Sequence, residues 1–147
     1  GGIYMLHFVH GDIFKSQAQV ITNPVNCVGV MGKGLALAFK NAYPRSFDEY
    51  RKLCTAGVLR PGVPCLSSAD TRLILLFPTK DHWRNPSKTE YIEDGLKFLA
   101  EHYQKLGIES LALPKLGAGL GGLPWAIVRS LIVKHLGSLP INIEVYE

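Results

Sequence analysis

With 147 residues, 47% of them hydrophobic and 19% charged, the chain has the composition of one compact domain with a single core, which excludes intrinsic disorder. No apolar run approaches the ~20 residues of a membrane helix and no basic-then-apolar leader opens the sequence, so the expectation is a cytoplasmic protein with no membrane contact. The net charge of +4 tilts the partner towards a polyanion, either a nucleic acid or a pyrophosphate.

Met5 to Val9 reads as the first strand and is closed by Gly11-Asp12-Ile13. Gln19 to Asn23 is the second, followed by Asn23-Pro24-Val25-Asn26 and a polar, Gly-rich stretch to Gly34. Helical periodicity covers Gly34 to Ala42 and Ser46 to Cys54, and strands follow at Val63 to Ser67 and Leu73 to Phe77. Beyond Phe77-Pro78-Thr79-Lys80-Asp81-His82-Trp83-Arg84, Ser87 opens a third helix with Glu90 three residues on, the pattern of a capping box. Ile92, Leu96, Leu99, Ala100, Tyr103 and Leu106 form its apolar stripe, read as plain core, and Gly107 stops it. Ser110 to Leu113 is a strand, Pro114 to Gly122 a glycine-dense loop, and a last helix starts near Pro124 and turns Trp125, Val128, Leu131 and Ile132 inward before Gly137. Asn142 to Tyr146 is the final strand. The alternation predicts an α/β fold: one domain over 1–147 with a central, mixed but mostly parallel six-stranded sheet and helices on both faces.

Four segments break the core pattern, and each follows a predicted strand: Gly11 to Ile13, Asn23 to Gly34, Phe77 to Arg84 and Pro114 to Gly122. In an open α/β sheet ligands bind beyond the carboxyl ends of the strands, so these loops are expected to meet at one crevice. Met31-Gly32-Lys33-Gly34 runs straight into a helix, where backbone N–H groups and the positive helix end can face an anion. It lacks the Ser or Thr after lysine of a nucleotide triphosphatase loop and the glycine spacing of a dinucleotide fold. Gly117-Ala118-Gly119-Leu120-Gly121-Gly122 is either a tight turn or a second phosphate loop, and two such loops together favour a diphosphate. Asp12 suits an exocyclic amine such as that of adenine, or a turn cap. Asn26 suits ribose hydroxyls, unless Asn23-Pro24 is only a strand-ending turn. Lys80, after Thr79 at the end of the most apolar strand, is either a snorkelling lysine or one whose partial burial favours the free amine. His82, Trp83 and Arg84 supply an imidazole, an indole and a guanidinium, a candidate rim for nucleic acid, although a partly buried tryptophan has no such need.

Cys27, Cys54 and Cys65 show no paired spacing and no histidine at ligand distance, which points to packing thiols rather than a zinc site or a disulfide, and no metal or cofactor is expected. Gly1-Gly2 resembles an expression scar, and the finish at Val145-Tyr146-Glu147, straight out of a strand, reads as the N-terminal domain of a longer protein.

These pieces together resemble the macrodomain family, in the branch of the DarG antitoxins and human terminal ADP-ribose glycohydrolase. The matching runs are Gly11 to Ile13, Asn26 to Ala36, Phe77 to Arg84 and Leu113 to Trp125. The resemblance implies removal of ADP-ribose from bases of single-stranded DNA, with a DarT-like toxin as cognate partner. It places Asp12 and Ile13 at the adenine and Asn26, with Asn23 nearby, at the distal ribose. Met31, Gly32, Lys33, Gly34, Leu35 and Ala36 fall along ribose and phosphates. Pro114, Gly117, Ala118, Gly119, Leu120, Gly121 and Gly122 surround the diphosphate, and Lys80 is the catalytic lysine beside Thr79. The human enzyme's pattern has an acidic residue where this chain has Gly121, which leaves His82, Asp81 or bound water to manage protons. Two other functions fit the same loops: a module that binds ADP-ribose without cleaving it, and a hydrolase of ADP-ribosyl esters on protein carboxylates.

Overall fold

A computed structural model describes residues 5–147; Gly1-Gly2 lie outside the described residues. Six strands, β1 (Leu6–Val9), β2 (Val20–Val25), β3 (Cys65–Ser67), β4 (Leu73–Pro78), β5 (Ser110–Leu113) and β6 (Asn142–Tyr146), form one sheet in the order β1-β6-β5-β2-β4-β3. Every neighbour pair is parallel except β3, which lies antiparallel against β4 at the edge. Helices α1 (Gly34–Ala42) and α2 (Pro44–Thr55) pack on one face, α3 (Thr89–His102) and α4 (Trp125–Leu136) on the other. The mixed, mostly parallel sheet expected from the sequence is the one found.

Alternation along β4 explains why its run is apolar throughout. Ile74 and Leu76 join Ile21, Val25 and Ala112 beneath α1 and α2, while Leu75 and Phe77 join Val20, Leu111, Leu113, Ile143 and Val145 beneath α3 and α4. All of these side chains are at most 3% exposed, so each face of the sheet is a sealed core.

Several boundaries differ from the sequence pattern, among them the starts of α2, β3 and α3. Helix α2 begins at Pro44 rather than Ser46, because proline at a first helical position has no N–H to leave unpaired. Strand β3 is trimmed to three residues, with Val63 making only a bridge to Arg60. Ser87 does not cap α3, which starts at Thr89 with Lys88 as N-cap and no side-chain cap bond. Its N–H donates instead to the Gly121 carbonyl at 3.0 Å, so a tertiary contact overrides the capping-box pattern.

Strand β2 runs on through Pro24 to Val25, and this extension shapes the site. It pairs with β5 only at Val20 and Ile21, after which β4 is its one partner. The Val25 carbonyl accepts from Thr79 on the β4 side, so the adjacent Pro24 faces the side β5 has left, where a missing N–H breaks no ladder. A crevice opens where β2 and β5 part.

Candidate functional site

Because β1, β2, β4 and β5 are parallel, the four loops named from sequence leave the same edge of the sheet. Main-chain bonds stitch them together: Thr79 N–H to Val25 O at 2.9 Å, Cys27 N–H to Asp81 O at 3.0 Å, and Ser87 N–H to Gly121 O. The two glycine loops also touch, since a Cβ placed on Gly34 would lie 3.1 Å from Cδ1 of Leu120. The loop after β1 rests on α1, with the rings of Phe14 and Phe39 4.6 Å apart. The chain leaves β2 for one face of the sheet and β5 for the other, so the crevice lies at a topological switch point.

Both helices that follow a glycine loop open without a side-chain cap and without an acidic residue in the first turn: α1 after Lys33 and α4 after Pro124. Their leading N–H groups are left to an anion. In the second loop Leu123 N–H bonds Gly117 O at 2.9 Å and Gly122 N–H bonds Gly119 O at 3.2 Å. Among the described residues, the N–H groups of Gly119, Leu120 and Gly121 have no protein acceptor. Gly117 needs its glycine twice over: φ is +70°, and a Cβ would press on Leu123, Ile92 and Ser87. At Gly121 a Cβ would collide with the Ser87 hydroxyl and the Gly117 carbonyl, so no side chain, acidic or otherwise, fits this backbone.

The polar residues singled out from sequence divide into those at the crevice and those turned inward. Asp12 is the N-cap of a short 3₁₀ turn, Ile13–Lys15, and its Oδ1 accepts from Phe14 N–H at 2.9 Å, the capping role left open from sequence. Ile13 is buried, so only its main chain faces outward. Asn23 and Met31 are also core side chains, linked Nδ2 to Sδ at 3.7 Å, and the Asn23 Oδ1 is buried without a partner. Asn26 spends its carboxamide on its own loop: Nδ2 donates to Val30 O at 2.7 Å, while Oδ1 accepts from Val28 N–H at 3.1 Å and from the Tyr50 hydroxyl at 2.6 Å. One Asn26 N–H is left for a ligand. Gly32, Lys33 and Gly34 are exposed, Leu35 and Ala36 half-buried; in the other loop Pro114 and Gly117 are buried and Gly119, Leu120 and Gly122 open to solvent.

Lys80 is half-buried, beyond the buried Thr79, with its Nζ 3.5 Å from the Trp83 carbonyl. The loop then projects outward as Asp81 to Pro86 before returning to Gly121 through Ser87. The His82 Nδ1 accepts the Arg84 N–H at 3.1 Å, which in the neutral ring places the proton on Nε2 and leaves no free lone pair for a general base. Trp83 is 47% exposed, so it is not a core residue.

Tyr50 and the cysteines were not legible as one group. The fold gathers Cys27 and Cys54 beside Tyr50, directly behind the Asn26 loop, with Cys65 near Cys54, although the sequence shows the three as isolated. Burial, reinforced by Cys54, pushes the Cys27 thiol up to about 12 and the Cys65 thiol up to about 11, and pushes the Tyr50 phenol up as well. These groups stay protonated, which suits packing thiols and a permanent phenol donor to Asn26. Among the described residues no three His, Cys, Asp or Glu side chains are grouped to hold a metal. No described helix is long and apolar enough to cross a membrane.

The macro domain family model matches residues 22–132, which takes in three of the four loops at the crevice and the first two turns of the last helix. The chain belongs to the macro domain family. A Thermus aquaticus protein named DNA ADP-ribosyl glycohydrolase is 45% identical over 97% of this chain and 41% of its own length. The solved macrodomain of Thermus aquaticus DarG superposes with a TM-score of 0.92 at 44% identity, covering 97% of this macro domain and 98% of that one. Thermosipho africanus DarTG in complex with ADP-ribose matches with a TM-score of 0.90 at 44% identity, over 96% of this chain and 41% of that one. This macro domain spans about two fifths of the length of the relatives named DNA ADP-ribosyl glycohydrolase, alone or in a fusion, that it matches.

Proposed function

We propose that this macro domain is a DNA ADP-ribosyl glycohydrolase: it binds ADP-ribose in the crevice and cleaves the N-glycosidic bond to a nucleobase of single-stranded DNA, as antitoxin to a DNA ADP-ribosyltransferase of the DarT kind. The observation that carries the reading is the placement of Lys80, half-buried at the end of β4, beside two glycine loops whose N–H groups and uncapped helices await a diphosphate. The name of the Thermus aquaticus relative and the ADP-ribose in the Thermosipho africanus complex support it.

In this scheme Asp12 and the Ile13 main chain meet the adenine, and the free Asn26 N–H meets the distal ribose. Gly32 to Ala36 and Gly117 to Gly122 hold the diphosphate through main-chain N–H groups. The Lys80 amine either forms a bond to the anomeric carbon as the carbon–nitrogen bond to the base breaks, with water later displacing the lysine, or stabilises the charge that develops as that bond breaks. The departing base must gain a proton. With Gly121 unable to carry an acid, the His82 Nε2–H, Asp81 and bound water are the groups left to move it.

The test is Lys80→Ala. ADP-ribose binding is retained and release from an ADP-ribosylated oligonucleotide is abolished; unimpaired turnover refutes the assignment. Reductive trapping of a lysine adduct, read by mass spectrometry, separates bond formation from charge stabilisation. A wild-type domain that binds ADP-ribose but releases none from DNA is a binding module, and one that acts only on ester-linked protein substrate is an esterase.

A further inference from the structure

We propose that Trp83, with Arg84 and His82, forms a stacking subsite for an unmodified nucleotide next to the modified one, so that the domain grips the DNA strand as well as the ADP-ribose. The proposal rests on reading the crevice as a DNA ADP-ribosyl glycohydrolase site.

Trp83 leaves a large apolar ring partly in water on this rim. Nearly half of its surface is exposed at the outer end of a loop whose neighbours, Arg84 to Pro86, are all exposed too. Neither core packing nor the ADP-ribose site uses its indole. The Arg84 guanidinium lies 4.7 Å from the indole centroid, and the His82 ring lies 5.2 Å from it at 35°. Three flat groups are thus ranked together, and the loop that bears them is fixed by Arg84 N–H to His82 Nδ1 and Asn85 N–H to His82 O, both at 3.1 Å. A nucleobase stacks on such a surface whatever its identity, and an arginine lying on an indole can extend to the adjoining phosphate without losing its charge.

The position also selects the partner. Lys80 Nζ reaches the Trp83 carbonyl, so the stack begins immediately beyond the proposed reacting group. In the proposed scheme the glycine loops take the diphosphate, and the leaving group with whatever is joined to it lies beyond Lys80. If that group is a base in a strand, its neighbours arrive over residues 82–84. The net charge of +4 and the exposed Lys88, whose Nζ lies 5.6 Å over the Tyr91 ring at the foot of the same loop, suit a phosphodiester chain.

The test compares two substrates with this 147-residue chain: an ADP-ribosylated single-stranded oligonucleotide of about ten nucleotides and the same modified base as a mononucleoside. The wild type is expected to favour the oligonucleotide in kcat/KM by about tenfold, within what one base–aromatic stack supplies. Trp83→Ala should remove most of that preference, Trp83→Tyr should retain it, and Arg84→Ala should reduce it and weaken its salt dependence. Use of the ratio cancels any effect transmitted to Lys80 through the shared main chain. An unchanged ratio in both Trp83→Ala and Arg84→Ala overturns the proposal, as does an equal loss on both substrates, which would assign the indole to the modified base itself. If the wild type releases ADP-ribose from neither substrate, the glycohydrolase reading fails first and the subsite falls with it.

Discussion

Replacing Gly121 with alanine tests the shape of the second glycine loop at its tightest point. The new methyl group would overlap both the Ser87 hydroxyl and the Gly117 carbonyl, and Gly117 is held on its other side by Leu123 N–H at 2.9 Å. The loop can relieve the clash only by lifting, which stretches the 3.0 Å bond from Ser87 N–H to Gly121 O. Overpacking of this kind costs about 1–3 kcal/mol, and a strained or lost hydrogen bond adds about 1 kcal/mol. At about 3 °C per kcal/mol for a domain of this size, the melting temperature should fall by roughly 6–12 °C. The same substitution at Gly119, where a Cβ meets nothing within 4 Å, is the control and should stay within about 0.5 kcal/mol of wild type. Adding Ser87→Ala to Gly121→Ala should recover part of the loss but not all, because the Gly117 carbonyl remains in the way. Differential scanning fluorimetry measures the stabilities and titration calorimetry the ADP-ribose affinity, which should weaken in Gly121→Ala. If Gly121→Ala melts like Gly119→Ala and binds ADP-ribose like the wild type, the packing argument for an acid-free loop is wrong.

Other perturbations probe the supports of the crevice. Asn26→Ala deletes two bonds within the loop after β2 and one to Tyr50 on α2 and should cost about 2–3 kcal/mol in urea unfolding, against about 1 kcal/mol for Tyr50→Phe; the reverse order would contradict this brace. Because burial raises the Cys27 thiol from 9.0 to about 12 and the Cys65 thiol to about 11, the unfolded chain ionises first; stability should hold below pH 9 and decline as pH approaches 12, with a shallower decline in a Cys27→Ala, Cys65→Ala variant followed by circular dichroism. The His135 Nε2–H donates to Glu93 Oε2 at 2.7 Å between α4 and α3 and holds the Glu93 carboxyl below its ordinary value. A depressed carboxyl stabilises above its unfolded pKa and loses that effect as pH falls, so Glu93→Gln should flatten the acid limb of the stability profile below about pH 4.5. An acid limb identical to wild type would show that the pair is neutral.

Periodicity carried most of the fold. The run from Leu73 to Phe77 reads as the most apolar strand, and the structure buries it on both faces; the spacing of Ile92, Leu96 and Leu99 reads as one stripe of a helix, which it is. The meeting of four loops was legible because each follows a strand that the α/β pattern makes parallel. What sequence pattern hides is competition between local and distant partners. Ser87 and Glu90 satisfy the capping box on paper, yet the Ser87 N–H is taken by Gly121, 34 positions away in the chain, and the helix starts later. Asn26 looks free for a ribose until α2 brings Tyr50 beside it, and Met31, in a polar run, is drawn into the core by its contact with Asn23. Burial depends on what arrives from elsewhere, and a polar or apolar label does not encode it.

Binding and chemistry rest on different kinds of atoms in this site. In the proposed scheme the donors to the diphosphate are main-chain N–H groups of Gly119 to Gly121 and of the first turn of α1, which no side-chain substitution other than proline removes; otherwise only a change in loop shape, as at Gly121, can displace them. Cleavage as proposed depends on one amine, held by its own main chain against Val25 O at 3.4 Å and by the Trp83 carbonyl. Recognition of ADP-ribose should therefore survive many surface changes, whereas hydrolysis can be lost through Lys80 alone with binding intact. The same division limits the proton route. A carboxylate at Gly121 is excluded by Ser87 and the Gly117 carbonyl, so the lysine must work with Asp81, the His82 Nε2–H, a water or the substrate itself. A leaving group that needs little proton assistance suits that arrangement better than one that must be protonated fully before it departs. A series of modified bases of graded leaving-group acidity should therefore show a shallow dependence of kcat on acidity if Asp81 or water shares the proton, and a steep one if no group does.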